Sequence, residues 1–402
     1  MKTLRLMSLL GIFLGIAMMT IMMAAAPPPA CAYENYYSFD SGYWSESSKW
    51  SAMGDLDASI IPGGNEEVTG ITNDKTVTIA ASYHAYAGNP TVFHGALDIY
   101  GTLHIGYMDG MTKMYMDFNV GTGAGSISGS GTSVVKQYAG SSVLFDATGT
   151  GGDYEGGDLP PACLHVGDGS SGSGRYELQG GLLDAQSYGE SEYIGSDYGT
   201  GTFVQSGGTN KTVGLYIGAN GTYTYSGGSL IVTNAIGTGT GTLIIDGNAT
   251  GNITAGSGIN VANFNVGNAT GATGSFTLAS GKTLTATTLG LGNYGTGTLT
   301  LNGGTLQVGT GGIVNGSGTG TLNIDGGAIT GSYTAIAADN FNVGNAVSTN
   351  GSFTLASGKT LTSTTENIGK SGTGAFTQSG GTNQVNTLRI GTATGSKGMH
   401  RC

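Results

Sequence analysis

Short strands with alternating apolar and polar residues recur along most of this chain, each preceded by a glycine-rich turn. In each triplet the first and third residues are mostly Phe, Tyr, Leu or Ile, and the middle one is mostly Thr. Alternation with a period of two places one face of a strand inward and the other outward. The nine triplets are Tyr176-Glu177-Leu178, Phe203-Val204-Gln205, Tyr223-Thr224-Tyr225, Leu243-Ile244-Ile245, Phe276-Thr277-Leu278, Leu299-Thr300-Leu301, Leu322-Asn323-Ile324, Phe353-Thr354-Leu355 and Phe376-Thr377-Gln378.

The triplets belong to a larger unit that bends at glycine. Gly-Gly or Ser-Gly follows most of them, a second strand often comes next, and a third strand ends in an apolar residue followed by Gly. Self-similarity at a period of roughly 20–30 residues indicates a solenoid, whose units bury their apolar sides against their neighbours. The pattern therefore predicts an all-β, parallel β-solenoid of short strands with glycine-rich corners. We expect one continuous apolar column to contain Phe276, Leu299, Leu322, Phe353 and Phe376.

A longer duplication is superimposed on this period. The heptapeptide Asn-Phe-Asn-Val-Gly-Asn-Ala occupies residues 263–269 and again 340–346, and the triplets that follow begin at Phe276 and Phe353, 77 positions apart. A distance of about three coils is expected of copying within a repeat array.

The repeat divides the chain into four predicted segments. A solenoid end exposes unpaired strand edges and needs a cap, for which the aromatic cluster around Trp44 and Trp50 is the candidate. The segments are a signal peptide (1–32), an N-terminal cap with irregular coils (33–165), the regular repeats (166–395) and an irregular tail at which the array looks truncated (396–402).

The first residues have the features of an export signal. Lys2 and Arg5 precede a long uncharged run, and a small-x-small site predicts cleavage between Ala32 and Tyr33. The run is also long enough to span a bilayer, and Cys31 could instead carry a lipid. Three prolines at 27–29 and the adjacent cleavage site favour removal of the segment.

Composition and charge exclude several classes of partner. Apolar residues make up 38% of the 402 residues, which is too much for a disordered linker. Without residues 1–32 the chain has 12 basic and 25 acidic residues, a net charge of −13. Such a surface argues against binding nucleic acid or an anionic membrane. With Cys163 and Cys402 as its remaining cysteines, the exported chain is not expected to depend on a disulfide framework.

Two phrases resemble a known repeat family. Residues 199–209 and 372–382 share Gly-Thr-Gly-x-Phe-x-Gln-Ser-Gly-Gly-Thr, which is similar to the autotransporter-associated β-strand repeats of bacterial autotransporter passengers and of exported proteins of the PEP-CTERM type. The resemblance covers most of the chain after residue 32. It implies a right-handed β-helix that is secreted or displayed on the bacterial cell surface and is adhesin-like.

Two repeated motifs suggest chemistry but have a simpler structural interpretation. Ser-Gly-Lys-Thr at Lys282 and Lys359 is similar to the end of a phosphate loop, but Phe stands where that motif requires its first Gly. We therefore predict that both lysines lie at coil corners. Asp246 and Asp325 follow Ile at equivalent turns, which favours turn capping over a catalytic pair.

Other polar residues give weaker signals. The spacing of His84, His94 and His104, near Asp98 and Asp109, is wider than that of ordinary zinc sites. The acidic loop 151–158 lacks the repeated nonapeptide of calcium-binding rolls, so we expect no metal and no cofactor. Gln205 and Gln378 are predicted to make amide contacts at coil corners. Asn-x-Thr/Ser sequons arise readily by chance in such a composition and occur at Asn210, Asn220, Asn248, Asn252, Asn268, Asn315 and Asn350.

These features favour a non-enzymatic structural or adhesive protein at the cell surface or outside the cell. Its repetitive polar faces would make weak multivalent contacts with carbohydrate or other cell-surface components. The alternative is an extracellular polysaccharide-degrading enzyme whose carboxylates converge, within residues 33–165, with Lys136, a histidine or the nearby Arg175. A third interpretation is a plain spacer.

Overall fold

The computed structural model describes residues 199–402 without a gap, the stretches 133–145, 163–167, 173–188 and 191–196, and strand-forming stretches between 36 and 120. Within these residues the secondary structure is β, with a single 3₁₀ turn at Gln186–Tyr188 and no α-helix. The predicted all-β class is confirmed. The strands are β1 Tyr36–Ser38, β2 Gly42–Tyr43, β3 Trp50–Ala52, β4 Thr69–Ile71, β5 Thr76–Ile79, β6 His84–Ala87, β7 Pro90–Val92, β8 Ala96–Ile99, β9 Thr102–Ile105, β10 Phe118–Val120, β11 Ser133–Gln137, β12 Ser142–Phe145, β13 Cys163–Val166, β14 Ser173–Leu178, β15 Leu182–Asp184, β16 Ser191–Ile194, β17 Thr200–Gln205, β18 Thr209–Thr212, β19 Leu215–Ile217, β20 Gly221–Tyr225, β21 Ser229–Val232, β22 Ala235–Ile236, β23 Thr242–Ile245, β24 Ile253–Ala255, β25 Gly258–Val266, β26 Thr273–Ala279, β27 Thr283–Leu291, β28 Thr296–Asn302, β29 Thr305–Asn315, β30 Thr319–Ile324, β31 Ala328–Gly331, β32 Ala335–Val343, β33 Asn350–Leu355, β34 Thr360–Ile368, β35 Thr373–Gln378, β36 Thr382–Ile390 and β37 Lys397–Arg401.

The strands stack in parallel, one coil on the next, so the predicted β-solenoid is confirmed. One series of paired residues, column 1, runs through about ten turns, which at the usual strand spacing span roughly 45 Å. The right-handed sense of the coil stays a prediction. Column 1 consists, in order of pairing, of Tyr176, Phe203, Tyr223, Leu243, Phe264, Leu289, Ile313, Ile336, Leu361 and Asn383.

The described strands nearer the N-terminus join the same stack. Val77 pairs with Leu97, Leu97 with Val135, and Val135 with Tyr176, which begins column 1. Strand β1 additionally pairs with β3 in an antiparallel ladder. The boundary predicted at 165 and the capping role of the aromatic cluster stay predictions.

Alternation along each strand builds the core. In β20 the exposure pattern alternates strictly between buried and half-buried residues, as a strand with one inward face requires. Tyr176, Phe203 and Tyr223 are fully buried, and their rings stack with centroids 5.0 and 4.7 Å apart. Burying each such side chain contributes about 1.5–3 kcal/mol, so coil-on-coil stacking of apolar residues is the main source of stability.

The five residues predicted to share an apolar column are all buried in one core, but they do not form one series of paired residues, so the predicted register was wrong. Phe276 pairs with Leu299, Leu299 with Leu322, and Leu322 with Phe341, and we call this series column 2. Phe353 instead begins a separate series, column 3, in which it pairs with Phe376 and Phe376 with His400.

The triplet strand changes column at two places. It lies in column 1 up to Leu243, in column 2 from Phe276 to Leu322, and in column 3 from Phe353 onward. At both changes the spacing between triplets widens, to 33 and 31 residues, whereas other neighbours from Tyr176 on are 20–27 residues apart. Between these triplets the chain therefore completes one coil and then forms one additional face of the next coil before the triplet strand begins.

The glycine two positions before a triplet is required by the stacking of coils. A Cβ on Gly297, which precedes Leu299, would lie 1.9 Å from the carbonyl oxygen of Val266 on the coil before. Only glycine lets the two backbones approach this closely, which explains the recurrent Gly-Thr-Gly-x before the triplets.

Candidate functional site

Asp246 and Asp325 hold the loops at which the triplet strand changes column. The Asp246 Oδ1 atom accepts hydrogen bonds from the backbone amides of Asn268 at 2.5 Å and Ala269 at 3.2 Å. Asp325 Oδ1 accepts the equivalent bonds from Asn345 and Ala346, at 2.5 and 3.0 Å. Both aspartates cap a turn, but that turn belongs to the next coil, so the predicted capping of the aspartate's own turn was wrong.

The two Ser-Gly-Lys-Thr lysines lie at coil corners, as predicted. Lys282 Nζ donates to the carbonyl oxygens of Ala255 and Gly256, both at 3.1 Å. Lys359 Nζ donates to the Tyr333 carbonyl oxygen and lies 3.9 Å from the centre of the Tyr333 ring. Both cations therefore tie one coil to the coil before it.

The predicted glutamine contacts at corners are also confirmed. Gln205 is fully buried, and its Nε2 donates to the Ser229 carbonyl at 2.9 Å. Its Oε1 accepts a hydrogen bond of 2.6 Å from the Tyr223 hydroxyl. Gln378 Nε2 donates to the Gly381 carbonyl at 3.2 Å.

Glu192 is a buried acid that the sequence analysis missed. It lies in β16 in register between Leu164 and Leu215, at a position that is apolar on the coils before and after it, and it has no exposed surface. Asn210 Nδ2 donates to Glu192 Oε2 at 3.0 Å. Burial raises the pKa of Glu192 to about 8, and the hydrogen bond from Asn210 opposes part of that rise.

Glu366 repeats this arrangement near the other end of the array. It lies in column 2 between Phe341 and Leu388 and is fully buried. Asn383 Nδ2 donates to Glu366 Oε2 at 2.9 Å. Burial raises the pKa of Glu366, while the hydrogen bond from Asn383 and the charge of His400 oppose the rise.

A sequence signal for these residues exists. Both glutamates precede x-Ile-Gly in the strand before a Gly-Thr-Gly-x-Phe phrase, and both asparagines follow its Gly-Gly-Thr. The third strands that end at Gly218, Gly267, Gly292, Gly344 and Gly391 have Leu or Phe where these have Glu. A charged residue in a series of apolar ones is rarely buried unless it is paired. A Glu at this otherwise apolar position therefore indicates a buried acid with a partner. Asn210 also belongs to a sequon, but its complete burial leaves no room for a glycan.

The charged residues proposed for an enzyme lie on the partly exposed side of two paired strands. Lys136 is in register with Glu177, and Arg175 Nε lies 2.6 Å from Glu177 Oε1. Partial burial would raise the pKa of Glu177, but hydrogen bonds from Arg175 and Gln179 and the charges of Arg175 and Lys136 lower it below its ordinary value. A carboxylate held ionised in this way is a poor general acid.

A polar groove follows the bend between column 1 and column 2 on the last coils. It has a volume of about 410 Å³ and is lined by Asp339, Thr362, Ser363, Thr364, Gln384 and Asn386, among others. The floor is built by paired residues of successive coils, since Ala338 pairs with Ser363.

Within the groove, Asp339 is already engaged and Ser363 is not. Asp339 Oδ2 accepts hydrogen bonds from Asn315 Nδ2 at 3.1 Å and from the Gly320 amide at 2.8 Å. The Ser363 Oγ atom is buried and has no hydrogen-bond partner. The groove therefore offers hydroxyl and amide groups, whereas its carboxylate supports the backbone.

Some predicted residues fall outside what the structure describes. His94, Asp109, the acidic loop 151–158 and the cleavage site at Ala32 and Tyr33 belong to undescribed stretches, and only the backbone is described at His84, Asp98 and His104. The backbone register pairs His104 with Tyr86 rather than with His84. In the part of the chain that is described, no three His, Cys, Asp or Glu residues gather as metal ligands. None of the described residues forms a helix long and apolar enough to cross a bilayer.

Comparison with known protein families, curated proteins and solved structures gives no significant match to this chain.

Proposed function

We propose that this protein is a non-enzymatic, exported β-solenoid that binds extracellular carbohydrate weakly and at many points. Its resemblance to autotransporter-associated repeats and its export-like N-terminus support a location at the bacterial cell surface or outside the cell. The parallel stack supports the scaffold role, because identical outward positions recur at each coil.

The observation that carries the proposal is how the described aspartates are used. Asp184, Asp246, Asp325 and Asp339 each accept a hydrogen bond from a backbone amide. Carboxylates that hold backbone groups are not available for acid–base chemistry on a substrate. Within the groove, the groups left to meet a ligand are hydroxyls and amides such as those of Thr364, Gln384 and Asn386, which suit the hydroxyl groups of sugars.

A glycan array probed with the full chain tests this function. We expect weak binding to a polysaccharide that strengthens when the protein is displayed in many copies, because avidity adds weak contacts. The variant Gln384→Ala/Asn386→Ala should weaken this binding, because it removes two amide groups from one of the contact regions. The matched control is Gln307→Ala/Asn302→Ala, which removes an exposed Gln and Asn outside the groove and should bind normally. Absence of binding to any glycan, or equal loss in both variants, would refute the proposal.

One observation favours the enzymatic alternative, the position of Lys136 and Arg175 beside Glu177, although Glu177 lies outside the range 33–165 predicted for that site. It predicts that polysaccharide chains shorten on incubation with the protein and that Glu177→Gln abolishes the shortening. Binding without a change in chain length would favour the adhesive role.

A further inference from the structure

The Glu192–Asn210 pair leaves two buried oxygens without partners. Asn210 Nδ2 donates to Glu192 Oε2 and, at 3.2 Å, to the Tyr223 hydroxyl oxygen. Neither Glu192 Oε1 nor Asn210 Oδ1 has a hydrogen-bond partner. Both atoms can only accept while the carboxyl is ionised, so an ionised pair would leave two buried acceptors unsatisfied, at considerable cost in free energy.

The Glu366–Asn383 pair lacks hydrogen-bond partners at the same two kinds of atom. Asn383 Nδ2 donates to Glu366 Oε2, and Glu366 Oε1 and Asn383 Oδ1 are the buried oxygens that lack partners. The two pairs occur in two copies of one sequence phrase. Because buried polar groups in native proteins are nearly always satisfied, an identical gap at two sites indicates a missing component and not an accident of packing.

The surroundings of Glu192 favour a proton as that component, whereas at Glu366 burial favours the proton and the charge of His400 opposes it. The titratable groups that face Glu192 are the Tyr176 and Tyr223 phenols, from β14 and β20, and neither carries a positive charge. The group that faces Glu366 is His400, from β37. A calcium ion would need six to eight oxygen ligands, far more than one carboxyl and one carboxamide offer.

We propose that Glu192 and Glu366 are protonated in the folded solenoid at neutral pH, and that each carboxyl proton supplies the hydrogen bond missing from its Glu–Asn pair. The solenoid then contains two interior hydrogen-bonded pairs, each of one carboxyl and one carboxamide group. Loss of these protons leaves a buried charge between coils, so both Glu–Asn pairs weaken as the pH rises. Burial, which raises the pKa of both glutamates, is consistent with this state.

Infrared or ¹³C NMR spectra of the full chain test the protonation directly. With labelled glutamate, we expect two side chains to give the signal of a neutral carboxylic acid at neutral pH, and the Glu192 signal to change to that of a carboxylate near pH 8. Glutamates that are all ionised at neutral pH, in the folded protein, would overturn the proposal. A bound cation would also appear as a carboxylate signal and would overturn it in the same way.

Glutamine variants test the consequence for stability. Gln carries an amide donor where a protonated Glu carries its hydroxyl, so Glu192→Gln and Glu366→Gln should fold and lose part of the weakening that accompanies a rise in pH up to the folded pKa. In the wild type the unfolding constant should rise by up to about tenfold per pH unit for each glutamate while the pH lies between its unfolded and folded pKa. Each Gln variant should remove one such contribution, and the control Glu177→Gln should remove none. If the double Gln variant weakens between the unfolded and folded pKa of Glu192 as much as the wild type does, the proposal is refuted. If that variant fails to fold, the wild-type spectra decide.

Discussion

Asp325 accepts a hydrogen bond from the backbone amide of Ala346, on the next coil, at 3.0 Å. Asp246 makes the equivalent bond with Ala269 at 3.2 Å. Each bond lies where the triplet strand leaves one column and begins another. The aspartates therefore stabilise the two irregular loops of an otherwise regular array.

Removal of the Asp325 carboxylate should destabilise the solenoid. Asp325→Ala leaves the amides of Asn345 and Ala346 without their acceptor, a loss we expect to cost about 1–3 kcal/mol. Asp325→Asn keeps an acceptor oxygen and should cost less. Urea denaturation of both variants measures the difference. Equal stability of Asp325→Ala and the wild type would mean that the loop does not need this contact.

Part of this arrangement was accessible from the sequence. Alternation within a triplet such as Leu299-Thr300-Leu301 predicts which side chains are buried, because the period of a strand fixes its inward face. The column to which a triplet belongs depends instead on how many faces of the coil the chain forms between one triplet and the next. The wide interval from Leu322 to Phe353 reflects the additional face. The length of an interval alone, however, does not distinguish a longer coil from a coil with an additional face.

The buried glutamates were missed for a different reason. Glu192 and Glu366 each lie in a strand most of whose counterparts contain Leu or Phe at that position, and charge normally indicates an outward position. Their burial depends on an asparagine that is distant in sequence and reaches them only because the coils stack. Pairing of this kind follows from register between strands, which local patterns do not specify.

The aromatic stack at the start of column 1 should contribute strongly to stability. Phe203 is fully buried between the rings of Tyr176 and Tyr223, so Phe203→Ala should cost about 3–5 kcal/mol through lost burial and the cavity left behind. The matched control Tyr294→Ala removes an aromatic residue that is 67% exposed and should change stability by less than about 0.5 kcal/mol. Thermal and chemical unfolding of both variants check this, and a similar loss in each would contradict it.

Substitution of alanine for glycine should destabilise the protein at two positions, for a different reason at each. At Gly297 a Cβ would meet the Val266 carbonyl at 1.9 Å, so Gly297→Ala must push two coils apart and should prevent correct stacking or destabilise it severely. At Gly281 the Cβ would meet nothing within 4 Å, but φ is +74°, so Gly281→Ala should cost only about 1 kcal/mol of backbone strain. Circular dichroism and denaturation compare them. The opposite ranking would show that coil spacing is not limited at Gly297.

Acid and alkali should weaken the protein through different glutamates. The pKa of Glu177 is lowered in the fold, so its contribution is present above the unfolded pKa and is lost as the pH falls through the folded one. Because its partner Arg175 is 39% exposed, this loss should be small, within about 1 kcal/mol. The raised pKa of Glu192, about 8, acts with the opposite sign: its contribution is complete below the unfolded pKa and is lost as the pH rises through 8.

The free energy of unfolding, measured by urea titration from acid to alkaline pH, separates these two effects. We expect a maximum in mildly acidic solution, with a shallow fall on the acid side and a steeper fall on the alkaline side. Glu177→Gln should flatten only the acid side, and Glu192→Gln only the alkaline side. Stability that rises steadily up to pH 8 would be incompatible with a protonated Glu192, because a proton held only in the folded state makes stability fall as the pH rises towards the folded pKa.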